Sequence, residues 1–172
     1  CGGENAIAAA PNGEVQLYYD NVKTFQTDAN GIIVYGPEGG DAIVYLYADE
    51  GDDDADKFKI STSSAGGFWL ENKTSGSWET NLKATGNGSI DLYCDNSKKF
   101  QTTTTGIQVE NSTATAITVV SADDADGGIY FNDGENKGGV LYQHNGDYMD
   151  FRTDGTEKVR IDSSGRVLIG TN

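Results

Sequence analysis

The stretch from residue 12 to residue 34 reads NGEVQLYYDNVKTFQTDANGIIV, and residues 87 to 109 read NGSIDLYCDNSKKFQTTTTGIQV. The two segments align without a gap at an offset of 75 residues, and 13 of their 23 positions are identical. A third, more diverged copy, GDYMDFRTDGTEKVRIDSSGRVL, occupies residues 146 to 168. Such repeats are structural units that stack or associate, because one unit alone rarely buries enough apolar area. The chain is therefore expected to be built by duplication of one small module.

Each copy has the pattern of three short strands joined by turns. Val15 and Leu17 alternate with polar residues, which is the period of a strand that buries one face. An Asp-Asn pair and Gly31 then provide turns on either side of a strand that contains Phe25. The apolar positions of the two clear copies are expected to pack in a core or between chains. They are Val15, Leu17, Phe25, Ile32, Ile90, Leu92, Phe100 and Ile107.

The rest of the chain reads in the same way. Further strands are expected at 42–48, 57–62, 67–72, 78–84, 114–121, 128–132 and 140–143, about ten residues apart with turn residues between them. The predicted divisions are an N-terminal extension (1–11), a first β repeat (12–85), a second β repeat (86–145) and a diverged C-terminal repeat (146–172).

Composition favours an all-β protein that associates with itself. Of the 172 residues, 36% are apolar, 23 are Gly and 2 are Pro. This apolar share is low for a self-sufficient globular domain, and the sequence shows no amphipathic helical period. An oligomer whose core is shared between chains is therefore expected.

The formal net charge of −15 limits the classes of partner. Nucleic acid is not expected as a partner, because phosphates are bound by Lys and Arg. Membrane insertion is not expected either, because no long apolar segment is present. The acidic run DEGDDDAD at residues 49–56 has two interpretations: a Ca²⁺ site using Asp52, Asp54 and Asp56, or a solvated turn whose charge discourages edge pairing. Apart from that Ca²⁺ alternative, no cofactor is expected.

Aromatic residues and the single histidine are the remaining candidates for chemistry. Trp69, Trp78 and Tyr148 could stack on sugar rings, and the alternative is that they fill the core. His144 lies in a predicted hairpin loop, and no motif of a catalytic triad accompanies it. We therefore expect a protein that is not an enzyme.

Five short segments of the sequence carry a family resemblance: ADEGDDDADK at 48–57, SGSWET at 75–80, KATGNG at 83–88, LYCDNSKKF at 92–100 and KVRIDSSGRVLIGT at 158–171. They resemble the repeats of tail-fibre-like proteins of bacteriophages, especially marine ones. The last of these segments is similar to the one that precedes an endosialidase-type intramolecular chaperone in many such fibres. The resemblance implies an elongated, homotrimeric fibre of the β-prism or β-helix kind, and no shared catalytic residues.

The function expected from this resemblance is structural and adhesive. The chain would form a β-rich homotrimeric rod at a virion surface or in the extracellular space, next to other tail or appendage proteins, and would attach to a host cell-surface glycan. The alternatives that stay open at this point are a self-assembling extracellular filament subunit, a carbohydrate-binding β module and, least favoured, a glycan-cleaving enzyme, which would need a convergent pair of carboxylates.

Overall fold

A computed structural model describes residues 6–170 of the chain. The described part is all-β and antiparallel, as the sequence predicts, and its sixteen strands form three sheets in which each strand pairs with the next. The first sheet contains β1 (Ile7–Ala9), β2 (Val15–Tyr19), β3 (Val22–Asp28) and β4 (Gly31–Val34). The second contains β5 (Ala42–Tyr47), β6 (Lys57–Thr62), β7 (Gly67–Asn72), β8 (Glu79–Thr85), β9 (Ile90–Cys94), β10 (Ser97–Thr103) and β11 (Gly106–Val109). The third contains β12 (Gly127–Asn132), β13 (Asn136–Gln143), β14 (Tyr148–Thr153), β15 (Thr156–Ile161) and β16 (Val167–Ile169).

The chain divides into two compact units between residues 115 and 116. The first unit holds the first and second sheets, and the second unit holds the third sheet. Two single 3₁₀ turns, Asp49–Gly51 and Asp54–Asp56, connect β5 to β6.

The repeated module is visible as the same hairpin in each sheet. Asp20 and Asn21 have φ of 50° and 59°, and their counterparts Asp95 and Asn96 have φ of 53° and 52°. Positive φ at both central residues is the requirement of a type I′ turn, whose twist matches that of the flanking strands. The third copy places Asp154 and a glycine there, with φ of 52° and 69°.

A β-bulge after each of these turns breaks the strict alternation of the sequence. Leu17 pairs with Phe25 and Tyr18 pairs with Lys23, so Thr24 is the extra residue. Lys99 and Lys158 have the same place in the other copies. Because an extra residue reverses the alternation, Lys23 lies on the face opposite Phe25 rather than beside it.

One strand prediction is wrong. Residues 114–121 have no strand pairing, whereas the other predicted segments agree with strands to within a few residues. The nearest strand begins with Gly127 and Gly128, which have no side chains to pack against a partner strand.

Candidate interaction surface

Each sheet has an uninterrupted row of apolar residues that lie directly opposite one another on neighbouring strands. We call these the apolar rows, and every one of the sixteen strands contributes one residue. The first row is Ile7, Leu17, Phe25 and Val34. The second is Val44, Ile60, Leu70, Leu82, Leu92, Phe100 and Val109. The third is Ile129, Val140, Phe151, Val159 and Ile169.

The faces that carry these rows, here called the apolar faces, are open to solvent. Leu92 is 42% exposed and Ile107, on the same face of the next hairpin, is 65% exposed. Among the described residues, the one fully buried apolar side chain is that of Leu141, which alternates with the third row and therefore lies on the other face. Within residues 6–170, each sheet thus has one apolar face that no other part of the chain buries in a core.

All eight predicted packing residues lie on the apolar faces of the first and second sheets. Four belong to the rows themselves, and the other four flank the rows at the next same-face positions: Val15, Ile32, Ile90 and Ile107. The predicted packing residues did not include the row residues of β5 to β8, such as Ile60 and Leu70, nor those of the third sheet, although the third copy aligns Phe151 with Leu92 and Val159 with Phe100. The alternation within those strands was the available signal.

The accessible area of the chain agrees with an uncovered surface. The chain exposes 12228 Å², whereas a folded monomer of 18.3 kDa exposes about 8,100 Å² by the usual scaling with mass. The excess is on the order of 4,000 Å². Obligate interfaces bury roughly 2,000–5,000 Å² counted over both partners, so the excess on one chain is more than one partner's share of such an interface.

The opposite face of the second sheet is polar and internally paired. Lys59 Nζ lies 2.9 Å from a carboxylate oxygen of Glu71 and 4.6 Å from the ring centre of Trp78. Lys83 Nζ lies 5.8 Å from the ring centre of Trp69. These contacts of Lys59 and Lys83 are made within one chain.

The third sheet has a similar polar face. Arg152 donates two hydrogen bonds of 2.8 Å to the carboxylate of Asp150, which is 0% exposed. The guanidinium of Arg160 pairs with Glu157 and lies 3.8 Å from the ring centre of Tyr148. One ring face of each predicted sugar-stacking residue, Trp69, Trp78 and Tyr148, therefore carries a cation of the same chain. His144 lies in the turn between β13 and β14.

The acidic loop does not bring the predicted calcium ligands together as a set. Carboxylate oxygens of Asp49, Asp52 and Asp56 lie within 4.8 Å of one another. Asp54 instead accepts from Lys73 at 2.7 Å and from Lys57 at 3.1 Å. The sequence pattern did not identify Asp49, because its proximity follows from the two 3₁₀ turns and not from alternate spacing.

The Asp54 pairs predict a pH dependence for this loop. Lys73, and after it Lys57, hold the pKa of Asp54 below its usual value. Because the folded pKa is the lower one, these pairs stabilise the loop above about pH 4, and the contribution is lost as pH falls through the lowered pKa. Carboxyl NMR titration should show Asp54 ionising below the usual aspartate range, and Lys73→Met should raise that pKa. Lys83→Met, which changes a lysine beside Trp69, serves as the control and should leave it unchanged. An Asp54 pKa that is the same in Lys73→Met as in the wild-type protein would contradict the assignment.

Comparison with protein-family models, curated proteins and solved structures found no match to this chain. Within residues 6–170, no helix has the length and apolar character needed to cross a lipid bilayer.

Proposed function

We propose that this chain is a structural protein, a segment of a β-rich homotrimeric fibre whose three copies pack their apolar faces against one another. The observation that carries the proposal is the set of apolar rows, which run across every strand of each sheet and lie in solvent in the single chain. Burying one Leu or Phe side chain stabilises an assembly by about 1.5–3 kcal/mol, so a whole row represents a large driving force.

Further copies of the same chain are the occupants that fit these faces best. The first and second sheets carry the same repeated segment. Equivalent residues such as Leu17 and Leu92 would therefore contact equivalent residues of neighbouring copies in an assembly. The polar faces would lie outside, where their paired lysines and carboxylates stay hydrated. A net charge of −15 keeps such outer surfaces soluble.

The threefold symmetry and the location come from the sequence resemblance. The apolar faces by themselves require only that other copies cover them. The tail-fibre-like segments of the sequence favour three copies in a β-prism or β-helix form. The same resemblance favours a virion surface or an extracellular appendage, where other appendage proteins and a host glycan would be the partners.

Light scattering coupled to size-exclusion chromatography tests the proposal. We expect a mass of about 55 kDa, three times the 18.3 kDa of one chain, at micromolar concentration. A monomer would overturn the shared core, and a dimer would overturn the threefold symmetry. Long uniform filaments in electron micrographs of the isolated protein would favour the alternative of a filament subunit.

A further inference from the structure

Residues 116–121, AITVVS, have the composition of a strand without a strand's pairing. Four of the six are β-branched and favour extended backbone: Ile117, Thr118, Val119 and Val120. Val119 is 50% exposed and Val120 is 86% exposed. They precede β12 by a connection of residues 122–126, which is a normal length for a hairpin loop.

Comparison of two sheets shows which strand is missing beside β12. The five strands of the third sheet correspond in order to β7–β11 of the second sheet, with β14–β16 as the diverged copy of β9–β11. In the second sheet β7 also pairs with β6 on its other side. In the third sheet β12 is an edge strand, and residues 116–121 hold the sequence position of β6.

The connection already turns in the way that the β6–β7 connection turns. Gly66 N donates to Ser63 O at 3.0 Å, and Ala125 N donates to Ala122 O at 3.0 Å at the corresponding place, 59 residues later. A Cβ placed on Gly127 would lie 3.1 Å from Ser121 Oγ. The end of the segment therefore lies beside the start of β12, where a hairpin would close.

The register of the second sheet then specifies the pairing. Ile60 faces Leu70 there, and the same spacing puts Val119 opposite Ile129 and Ser121 opposite Gly127. A Cβ on Gly127 would also lie 3.8 Å from Val119 Cγ1, which agrees with this register. Val119 would thus extend the third apolar row from five strands to six.

We propose that residues 116–121 become a sixth strand of the third sheet, antiparallel to β12 of the same chain, when further copies cover the apolar face. The inference rests on the proposed assembly. In the single chain, the glycines at 127 and 128 leave the segment few side chains to pack against. The entropy cost of ordering its backbone is therefore not offset by packing. In the assembly, burial of Ile117 and Val119 offsets that cost, and the free edge of β12 is closed.

Hydrogen–deuterium exchange tests the proposal on the full chain, with the Leu92→Lys variant, which changes the other unit, as the unassembled reference. Amides of residues 116–121 should exchange about tenfold or more slowly in the assembled protein than in the variant. The connection at 122–126 should exchange fast in both. A wild-type protein that does not assemble would overturn the proposed function and this inference together. An assembled protein whose residues 116–121 exchange as fast as residues 122–126 would overturn this inference alone.

A cross-link identifies the chain that provides the strand. Val119→Cys with Ile129→Cys, in a background with Cys1→Ser and Cys94→Ser, should form a disulfide on mild oxidation, because side chains that face each other across strands lie within disulfide range. The product should keep the mass of one chain on a non-reducing gel. A product of two-chain mass would show exchange between copies and overturn the same-chain pairing. Val120→Cys with Ile129→Cys is the matched control and should not cross-link, because its side chains would lie on opposite faces.

Discussion

The Leu92→Lys variant should fail to assemble, and its apparent association constant should fall by about 1,000-fold or more, equivalent to about 4 kcal/mol. Leu92 is a central member of the second apolar row, between Leu82 and Phe100. Lysine at this place removes apolar area that the assembly would bury and introduces a charge between Leu82 and Phe100. Sedimentation velocity across a range of concentrations measures the change.

Charge effects are separated from burial by the choice of residue. Lysine makes the net charge of −15 less negative, so dissociation of the variant cannot result from a larger overall net charge on each copy. Gln108→Lys makes the same change of charge on the polar face, next to the apolar-face residue Ile107. This control should assemble like the wild type, whereas Ile107→Lys should weaken assembly. Equal behaviour of Gln108→Lys and Ile107→Lys would mean that the face of the sheet does not matter, which would contradict the proposed packing.

The sequence predicted the fold class and most strands because alternation is a local property. A residue such as Leu17 reveals its face through its immediate neighbours, and the repeat confirms the choice at Leu92. The bulge was not predictable in this way. Thr24 looks like any other polar strand residue, and its role as the extra residue depends on how two strands pair.

The apolar rows were only half predictable for a related reason. The row unites residues from all the strands of a sheet, and its continuity depends on cross-strand register, which alternation alone does not specify. The two-copy repeat identified Phe25 and Phe100, but Val44 and Ile60 lie outside the repeated 23-residue segment. Charge pairs between residues distant in sequence were even less predictable, since Asp54 pairs with Lys73, which is 19 residues away.

The incorrect strand prediction at 114–121 also has a physical reason. Strand propensity reports how well side chains suit a pleated, half-buried surface, and it does not provide a partner. The prediction considered the segment alone, whereas pairing also depends on the neighbouring strand, which begins with two glycines. A strand-like segment beside such an edge is where assembly can change the conformation.

The buried ion pair of the third sheet should be the most sensitive polar contact within one chain. Asp150 is 0% exposed and receives both of its charge-assisted hydrogen bonds of 2.8 Å from Arg152. Arg152→Met keeps much of the side chain that covers Asp150 but removes its charge. A buried carboxylate left without its partner costs about 3–5 kcal/mol of unfolding free energy. Urea unfolding at a fixed protein concentration, followed by a signal that reports on the third sheet, measures the loss of unfolding free energy.

Two further variants decide whether burial causes that effect. Arg166→Met breaks a pair of similar length, 2.7 Å to Asp162, but the Arg166 side chain is 76% exposed. The expected loss there is much smaller than for Arg152→Met, because exposed ion pairs are hydrated and entropically costly. Asp150→Leu combined with Arg152→Met should recover most of the stability lost by Arg152→Met alone, since no charge is then left buried. If Arg152→Met and Arg166→Met destabilised the protein equally, burial of Asp150 would not be the source of the effect.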